Sequence, residues 1–183
     1  MKKILVTGGT GYIGGRLVPR LLQAGYQVRL LVRNPAGLQG RPWLSQVEIV
    51  EGDAMVDADL ETAMQGMEAA YYLIHSMSNQ EDFQARDRLM AGRFGVAARK
   101  SGVKRIIYLG GLGNPNQDLS PHLRSRHEVG SLLAAHGVPV IEFRSAVIVG
   151  SGSASFEMLR YTVEGLPASL CPTWVDTRLQ PIS

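Results

Sequence analysis

At 183 residues, 45% hydrophobic and 19% charged, the chain is long enough for one domain with a substantial core and too short for two ordinary ones. The net charge of +3 comes from scattered Lys and Arg residues, with no basic run interleaved with aromatics, so no nucleic-acid partner is expected. The single cysteine, Cys171, cannot close an internal disulfide. The apolar run after Lys2 and Lys3 stops at Thr7-Gly8-Gly9, too soon for a signal core. No stretch approaches the roughly 20 apolar residues that span a bilayer. A cytoplasmic protein with no membrane association is the expectation.

From the N-terminus, a short apolar strand over 3–7 runs into the glycine-rich turn 8–14. A helix follows, with Ile13, Leu17 and Leu21 on one face and Val18 and Leu22 beside them. Pro19 predicts a bend near 15–19, because an interior proline removes a helical hydrogen bond. Four times an amphipathic segment ends in glycine (Gly25, Gly66, Gly102, Gly137) and leads into a short apolar run. Glycine just past a helix end closes the last turn in the left-handed conformation without a Cβ clash. The resulting strands cover 28–32, 69–74, 106–109 and 138–143, with a further strand over 47–50. Their nearly continuous apolar character suits strands buried on both faces. The connection 33–46, holding Pro35, Gly37, Gly40 and Pro42, reads as a loop. After Gly150, Ser153 or Ser155 could cap a last helix reaching Val163, and 166–183 is proline-punctuated and irregular.

Six strands alternating with helices imply an α/β fold: a doubly wound, mostly parallel sheet of the Rossmann type, in the order 3-2-1-4-5-6. Residues 1–150 form the expected dinucleotide-binding domain, and 151–183 begin a substrate-side region left incomplete at Ser183. That predicts a longer natural chain, or a tail packing against a partner or a second copy.

The turn Gly8-Gly9-Thr10-Gly11-Tyr12-Ile13-Gly14 carries the strongest signal. Gly9, Gly11 and Gly14 fit G-x-G-x-x-G, whereas Gly8, Gly11 and Gly14 fit G-x-x-G-x-x-G. In either register one glycine allows the tight turn, one lets the backbone approach a pyrophosphate, and one lets helix and strand pack closely. The N–H groups opening the helix, and the positive end of its dipole, favour phosphate. The turn is therefore read as a dinucleotide site. The second strand closes on Val32-Arg33-Asn34 without a carboxylate; Arg33 suits a 2′-phosphate, so NADP is expected rather than NAD.

These residues resemble the short-chain dehydrogenase/reductase superfamily, in its extended and atypical branches, among NAD(P)H-binding, sugar-epimerase-like proteins. The resemblance rests on 7–14, on Gly52-Asp53-Ala54, on Ile106-Ile107-Tyr108-Leu109, on Ile141-Glu142-Phe143-Arg144-Ser145 and on the run from Gly150 through Pro181-Ile182. It implies that Asp53 and Ala54 border the adenine, and that Ile74, His75 and Ser76 lie along the cofactor near its ribose. Asp53 could instead serve as a turn cap, and His75 as a hydrogen-bonded structural residue. The superfamily uses a Ser after the fifth strand and a Tyr-x-x-x-Lys on the next helix. Here Gly110-Gly111 stands at the Ser position, and His122-Leu123-Arg124-Ser125-Arg126 at the other. By that placement His122 becomes the candidate acid/base and Arg126 the candidate ribose contact, unless His122 merely caps its helix.

Three readings remain open on the sequence. One is an NADP(H)-dependent oxidoreductase or epimerase-like enzyme acting on a small carbonyl or hydroxyl substrate of unknown identity. Another is a non-catalytic NADP(H)-binding redox sensor, and the third an assembly protein that kept the fold. No metal site is expected: His75, His122, His127 and His136 have no Cys or carboxylate set at ligand spacing, and His127 and His136 are expected at the surface.

Overall fold

The computed structural model describes residues 2–75, 83–114, 118–165 and 180–183. Ser76, Cys171 and the irregular stretch 166–179 lie outside them. The chain divides into two units, Met1–Phe143 and Arg144–Ser183.

In chain order the elements run β1 (Lys3–Thr7), α1 (Tyr12–Gln23), β2 (Gln27–Val32), β3 (Glu48–Glu51), α2 (Asp57–Met64), β4 (Ala69–Tyr72), α3 (Phe83–Lys100), β5 (Arg105–Gly111), α4 (Pro121–Ala134) and then β6 (Val140–Ser145). They build one six-stranded parallel sheet in the order β3-β2-β1-β4-β5-β6. This is the doubly wound order expected from the alternation. Gly25, Gly66, Gly102 and Gly137 all have positive φ, between 72° and 80°, so each helix-to-strand corner uses glycine as anticipated.

Because strand side chains alternate between faces, β1 splits its apolar residues between two cores. Leu5 joins Leu60, Met64, Tyr72, Phe94, Ile106 and Leu133 on the face covered by α2, α3 and α4. Ile4 and Val6 join Val18, Leu21, Leu30, Leu38 and Trp43 on the face covered by α1 and the connection after β2. The central strands are accordingly buried on both faces. The edge strands β3 and β6 carry exposed residues, since nothing lies beyond them in the sheet.

Several boundaries differ from the reading above. The connection 33–46 is not a featureless loop: it holds 3₁₀ turns over Pro35–Leu38 and Leu44–Gln46. Asn34 Oδ1 caps the first turn by accepting from Ala36 N–H at 2.9 Å. Proline and glycine marked the break, but buried Leu38 and Trp43 make the segment a lid on one core. The third strand starts at Glu48, because Val47 closes the second 3₁₀ turn. The β4 ladder stops at Tyr72; Leu73, Ile74 and His75 leave the sheet although the apolar run continues. The sixth strand runs over Val140–Ser145 rather than 138–143. Buried Val138 belongs to the corner before it. Helix α1 runs through Pro19 as one element, as expected; its buried residues Val18 and Leu21 tie it to the sheet across the missing hydrogen bond.

In the second unit, α5 (Ala154–Gly165) is capped by Ser153, whose Oγ accepts from Phe156 N–H at 3.2 Å. That settles the choice between Ser153 and Ser155. Residues 148 and 182 form a parallel bridge.

Phe94 is fully buried and packs edge-on against Tyr72, with ring centroids 4.9 Å apart. Phe94→Ala is expected to cost about 3–5 kcal/mol of stability, read as a lowered denaturant midpoint with unchanged m-value.

Candidate functional site

The site begins where β1 ends. Thr7 is buried, and its Oγ1 donates to Tyr71 O at 2.9 Å while accepting from Leu73 N–H at 3.4 Å. This ties the ends of β1 and β4 together. The chain then reverses at Gly8, whose φ of +76° L side chains rarely adopt; a Cβ there would stand 2.8 Å from Leu73 O. Gly11 N–H donates to Gly8 O at 3.0 Å and closes the turn. A Cβ on Gly14 would meet Gly8 O at 2.3 Å and Gly9 Cα at 2.8 Å, so no side chain fits between helix and strand. A Cβ on Gly11 would approach only Gly8 O, at 3.3 Å, and face open space otherwise. Gly9 has neither positive φ nor a backbone clash. The working register is therefore Gly8, Gly11 and Gly14.

Gly11 is the N-cap of α1 and offers no side chain to its N–H groups, and the first turn holds no acidic residue. The N–H groups of Tyr12 and Ile13 thus open the helix without intrahelical acceptors, at the positive end of the dipole. The Tyr12 ring is covered by the Arg16 guanidinium at 3.7 Å, leaving the backbone as the useful part of that residue. Arg41, unforeseen from the sequence, donates to Thr10 O at 3.4 Å and lies against Gly15, adding positive charge beside the turn.

A cleft of about 510 Å³ opens from this turn along the C-terminal ends of β1, β2 and β3. It lies where the strand order reverses about β1, the place ligands occupy in open α/β sheets. Gly8, Thr10, Arg33, Asp53, Ala54 and Ile74 all line it. Arg33 is exposed and has no hydrogen-bond or ion-pair partner among the described residues. Asp53 takes the role of a turn cap: its Oδ1 accepts from Met55 N–H at 2.9 Å, and its own N–H donates to Asp59 Oδ2 at 2.8 Å. Asn34, Arg86 and Met90 also line the cleft. The last two stand one helical turn apart on α3. Their spacing was visible, but not which helix face the crossover would bring to the cleft.

His75, His122 and Arg126 do not line this cleft; they gather near the ends of β4 and β5. Ser120 caps α4 by accepting from Leu123 N–H at 3.4 Å, so His122 is not the cap. Neither imidazole has a hydrogen-bond partner among the described residues. Partial burial, and after it the Arg126 guanidinium, holds His75 and His122 below the ordinary histidine value, while Asp87 pulls the other way. Arg126 Nη2 donates to Leu109 O at 2.9 Å, and Tyr108 Oη donates to Arg126 O at 2.9 Å. Burial pushes the Tyr108 phenol up to about 12, against the lowering effect of Arg126. Where the resemblance expects serine, neighbouring side chains occupy the space: a Cβ on Gly110 would stand 2.3 Å from Glu142 Oε1, and one on Gly111 2.8 Å from Leu123 Cδ2. Among the described residues no cluster of His, Cys, Asp or Glu could hold a metal ion, and no helix is long and apolar enough to cross a membrane.

The family model described as NAD(P)H-binding matches residues 8–138, most of the chain, all of the glycine turn and all but Thr7 of the cleft lining. The chain belongs to this NAD(P)H-binding family. It is 40% identical over 110 residues to a putative dihydroflavonol 4-reductase of Synechocystis sp., a match covering 56% of this chain and 31% of that protein. The chain spans about a third of the length of the curated relatives it matches. Among solved structures it resembles the Bordetella bronchiseptica enzyme WbmH in complex with NAD⁺, with TM-score 0.71, 21% identity and coverage of 90% and 63% of the two chains. It also resembles the Citrobacter sp. triphenylmethane reductase complexed with NADP(H), with TM-score 0.69, 24% identity and coverage of 89% and 55%. Both likenesses are in fold. The glycine turn fits the family's group: the cradle admits no Cβ at Gly8 or Gly14, and the helix start above it is uncapped and free of acidic side chains.

Gly11→Val is expected to fold and to lose NAD(P)H binding, because its side chain would fill the space the backbone leaves open. Gly14→Ala is expected to lower stability itself. Melting curves with and without NADH or NADPH separate the two, since a ligand bound only by the native state raises the melting temperature. A folded Gly11→Val with a full cofactor shift would move the phosphate site elsewhere.

Proposed function

We propose that the chain is the cofactor-binding part of an NADP(H)-dependent oxidoreductase or epimerase-like enzyme, acting on a small carbonyl or hydroxyl substrate. The observation that carries the NADP preference is Arg33: exposed at the mouth of the cleft, without a partner among the described residues, and next to Asn34 rather than a carboxylate. A guanidinium in that position pairs bidentately with a phosphate. Asn34 is already engaged as a cap and leaves Arg33 the charged group at the end of β2.

When bound, the nicotinamide supplies a hydride donor or acceptor. The remaining chemistry is a proton transfer at the substrate oxygen, and His122 is assigned to it. Its imidazole stands at the start of α4, uncommitted to capping and held below the usual histidine range. Arg126, one turn further on the same face, is fixed to the end of β5 through Leu109 O. It is assigned to the ribose, with Ile74 and His75 beside it and Asp53 and Ala54 at the adenine end.

Arg33→Asp is expected to reverse the cofactor preference, with NADPH losing about 1.5–3 kcal/mol, the value of hydrogen bonds to a charged group. Wild-type protein binding NADH as tightly as NADPH in calorimetry would remove the role given to Arg33.

With a substrate found by screening aldehydes, ketones and quinones for NADPH consumption, His122→Phe is expected to lower the rate roughly 10²–10⁴-fold, with NADPH affinity little changed. The pH profile should bend below the unperturbed histidine value of about 6.5. In alcohol oxidation, His122 acts as the base and activity is lost as pH falls through the bend. In carbonyl reduction it acts as the acid, and activity is lost as pH rises through it. Turnover by His122→Phe at the wild-type rate would overturn the assignment.

A further inference from the structure

Beneath the His122–Arg126 face of α4 lies a carboxylate that the proposed chemistry does not use. Asp87, in the second turn of α3, is 4% exposed. It accepts a hydrogen bond from Ser125 Oγ at 3.4 Å, and Ser125 is itself 1% exposed. On α4, residues 122, 125 and 126 stand at i, i+3 and i+4 and so share one face. Ser125 is thus the buried member of the turn that carries His122 and Arg126, and Asp87 holds it from α3. A buried carboxylate costs several kcal/mol unless compensated by charge and hydrogen bonds. An apolar residue would have packed α3 against α4 at lower cost, as Val129 and Leu133 do one and two turns further along α4.

The charged and titratable groups around Asp87 come from three other elements. Tyr72 and His75 belong to the end of β4, Tyr108 to β5, and His122 and Arg126 to α4. Tyr72 is 1% exposed, and its hydroxyl has no hydrogen-bond partner among the described residues; burial, and next the Asp87 charge, push its pKa well up. It therefore stays neutral and cannot compensate for the carboxylate. Among these groups Arg126 carries a positive charge, and its Nη2 is bonded to Leu109 O.

We propose that Asp87 is a positioning residue of the His122–Arg126 site: its buried carboxylate, tied to α4 through Ser125, opposes the Arg126 charge and raises the proton affinity of the two neighbouring imidazoles. Arg126 lowers the proton affinity of both His75 and His122, and Asp87 opposes it from the buried side. The inference deepens the acid/base reading of His122, on which its relevance to turnover rests.

The test is a histidine titration by NMR on the chain without cofactor, with His75 and His122 resonances assigned from His75→Gln and His122→Gln. Asp87→Asn keeps the shape and the acceptor for Ser125 but removes the charge. Both imidazole midpoints are expected to move to lower pH than in wild type. Arg126→Gln is expected to move both the other way. Midpoints that do not change in a folded Asp87→Asn, or that shift in the same direction in both variants, would overturn the proposal; the latter would mean that altered burial governs them. If Asp87→Asn does not fold, Asp87→Ser removes the same charge and is judged by the same outcomes. A purely structural tether would change melting temperature and leave the midpoints in place. Because the titration needs no substrate, failure of the His122 catalytic assignment would show in turnover alone and is distinguishable from failure here.

Discussion

The cofactor cleft depends on how closely the first turn of α1 can approach the end of β1. Gly8 O accepts from Gly11 N–H and lies where any Gly14 Cβ would stand, so the two backbone segments touch without side chains between them. Were they to separate by a methyl group's width, the N–H groups that open α1 would no longer sit over the C-terminal ends of the strands. The surroundings keep that spot positive: no acidic side chain enters the first turn, and Arg41 crosses from the next connection to Thr10 O. On the proposed reading, geometry and charge serve one purpose, the reception of a phosphate group at the helix start.

The same contact is anchored from below. Thr7 bonds to β4 at both Tyr71 and Leu73, and Leu73 is the residue whose carbonyl forbids a side chain on Gly8. The turn is therefore braced by β4 as well as by its own strand, at the point where the sheet changes direction. Beyond Leu73, the chain leaves the ladder and places Ile74 in the cleft and His75 beside α4. One short segment after β4 links the cofactor cleft to the cluster of ionisable groups.

The sheet was legible because its signals are local and redundant. Four of the apolar runs follow a glycine of positive φ, and either feature alone would have marked the corner. The two glycine registers could not be separated in sequence, because their difference is a backbone angle at Gly8 against Gly9. The 3₁₀ turns after β2 were hidden by the proline and glycine that usually signal open loop, although Leu38 and Trp43 were a trace of their burial. The contributions of Arg41, Arg86 and Asp87 were not legible for another reason. A charged residue on a helix or in a connection is by default a solvated one, and only the packing of α3 on α4 buries Asp87 while leaving Arg86 at the cleft.

The pair Gly110-Gly111 read in sequence as a missing serine, and the structure gives that absence a physical cause. Glu142 reaches from β6 to the place a Gly110 side chain would fill, and Leu123 of α4 closes over Gly111. A side chain at Gly110 would have to displace the Glu142 carboxylate, and one at Gly111 the Leu123 side chain; Leu123 is the residue directly after His122. The helix has therefore closed on the strand end, and Arg126 uses the contact by bonding to Leu109 O. On the proposed reading, a site that has lost its strand-borne hydroxyl must obtain both proton transfer and its tuning from the helix. A lysine in place of Arg126 would be a compact charge without the planar fork that reaches a carbonyl while keeping donors free. An arginine there, beside an imidazole rather than a phenol, brings a permanent positive charge that depresses proton affinity. A buried carboxylate on the facing helix is the counterweight such an exchange requires, and Asp87 stands at that position.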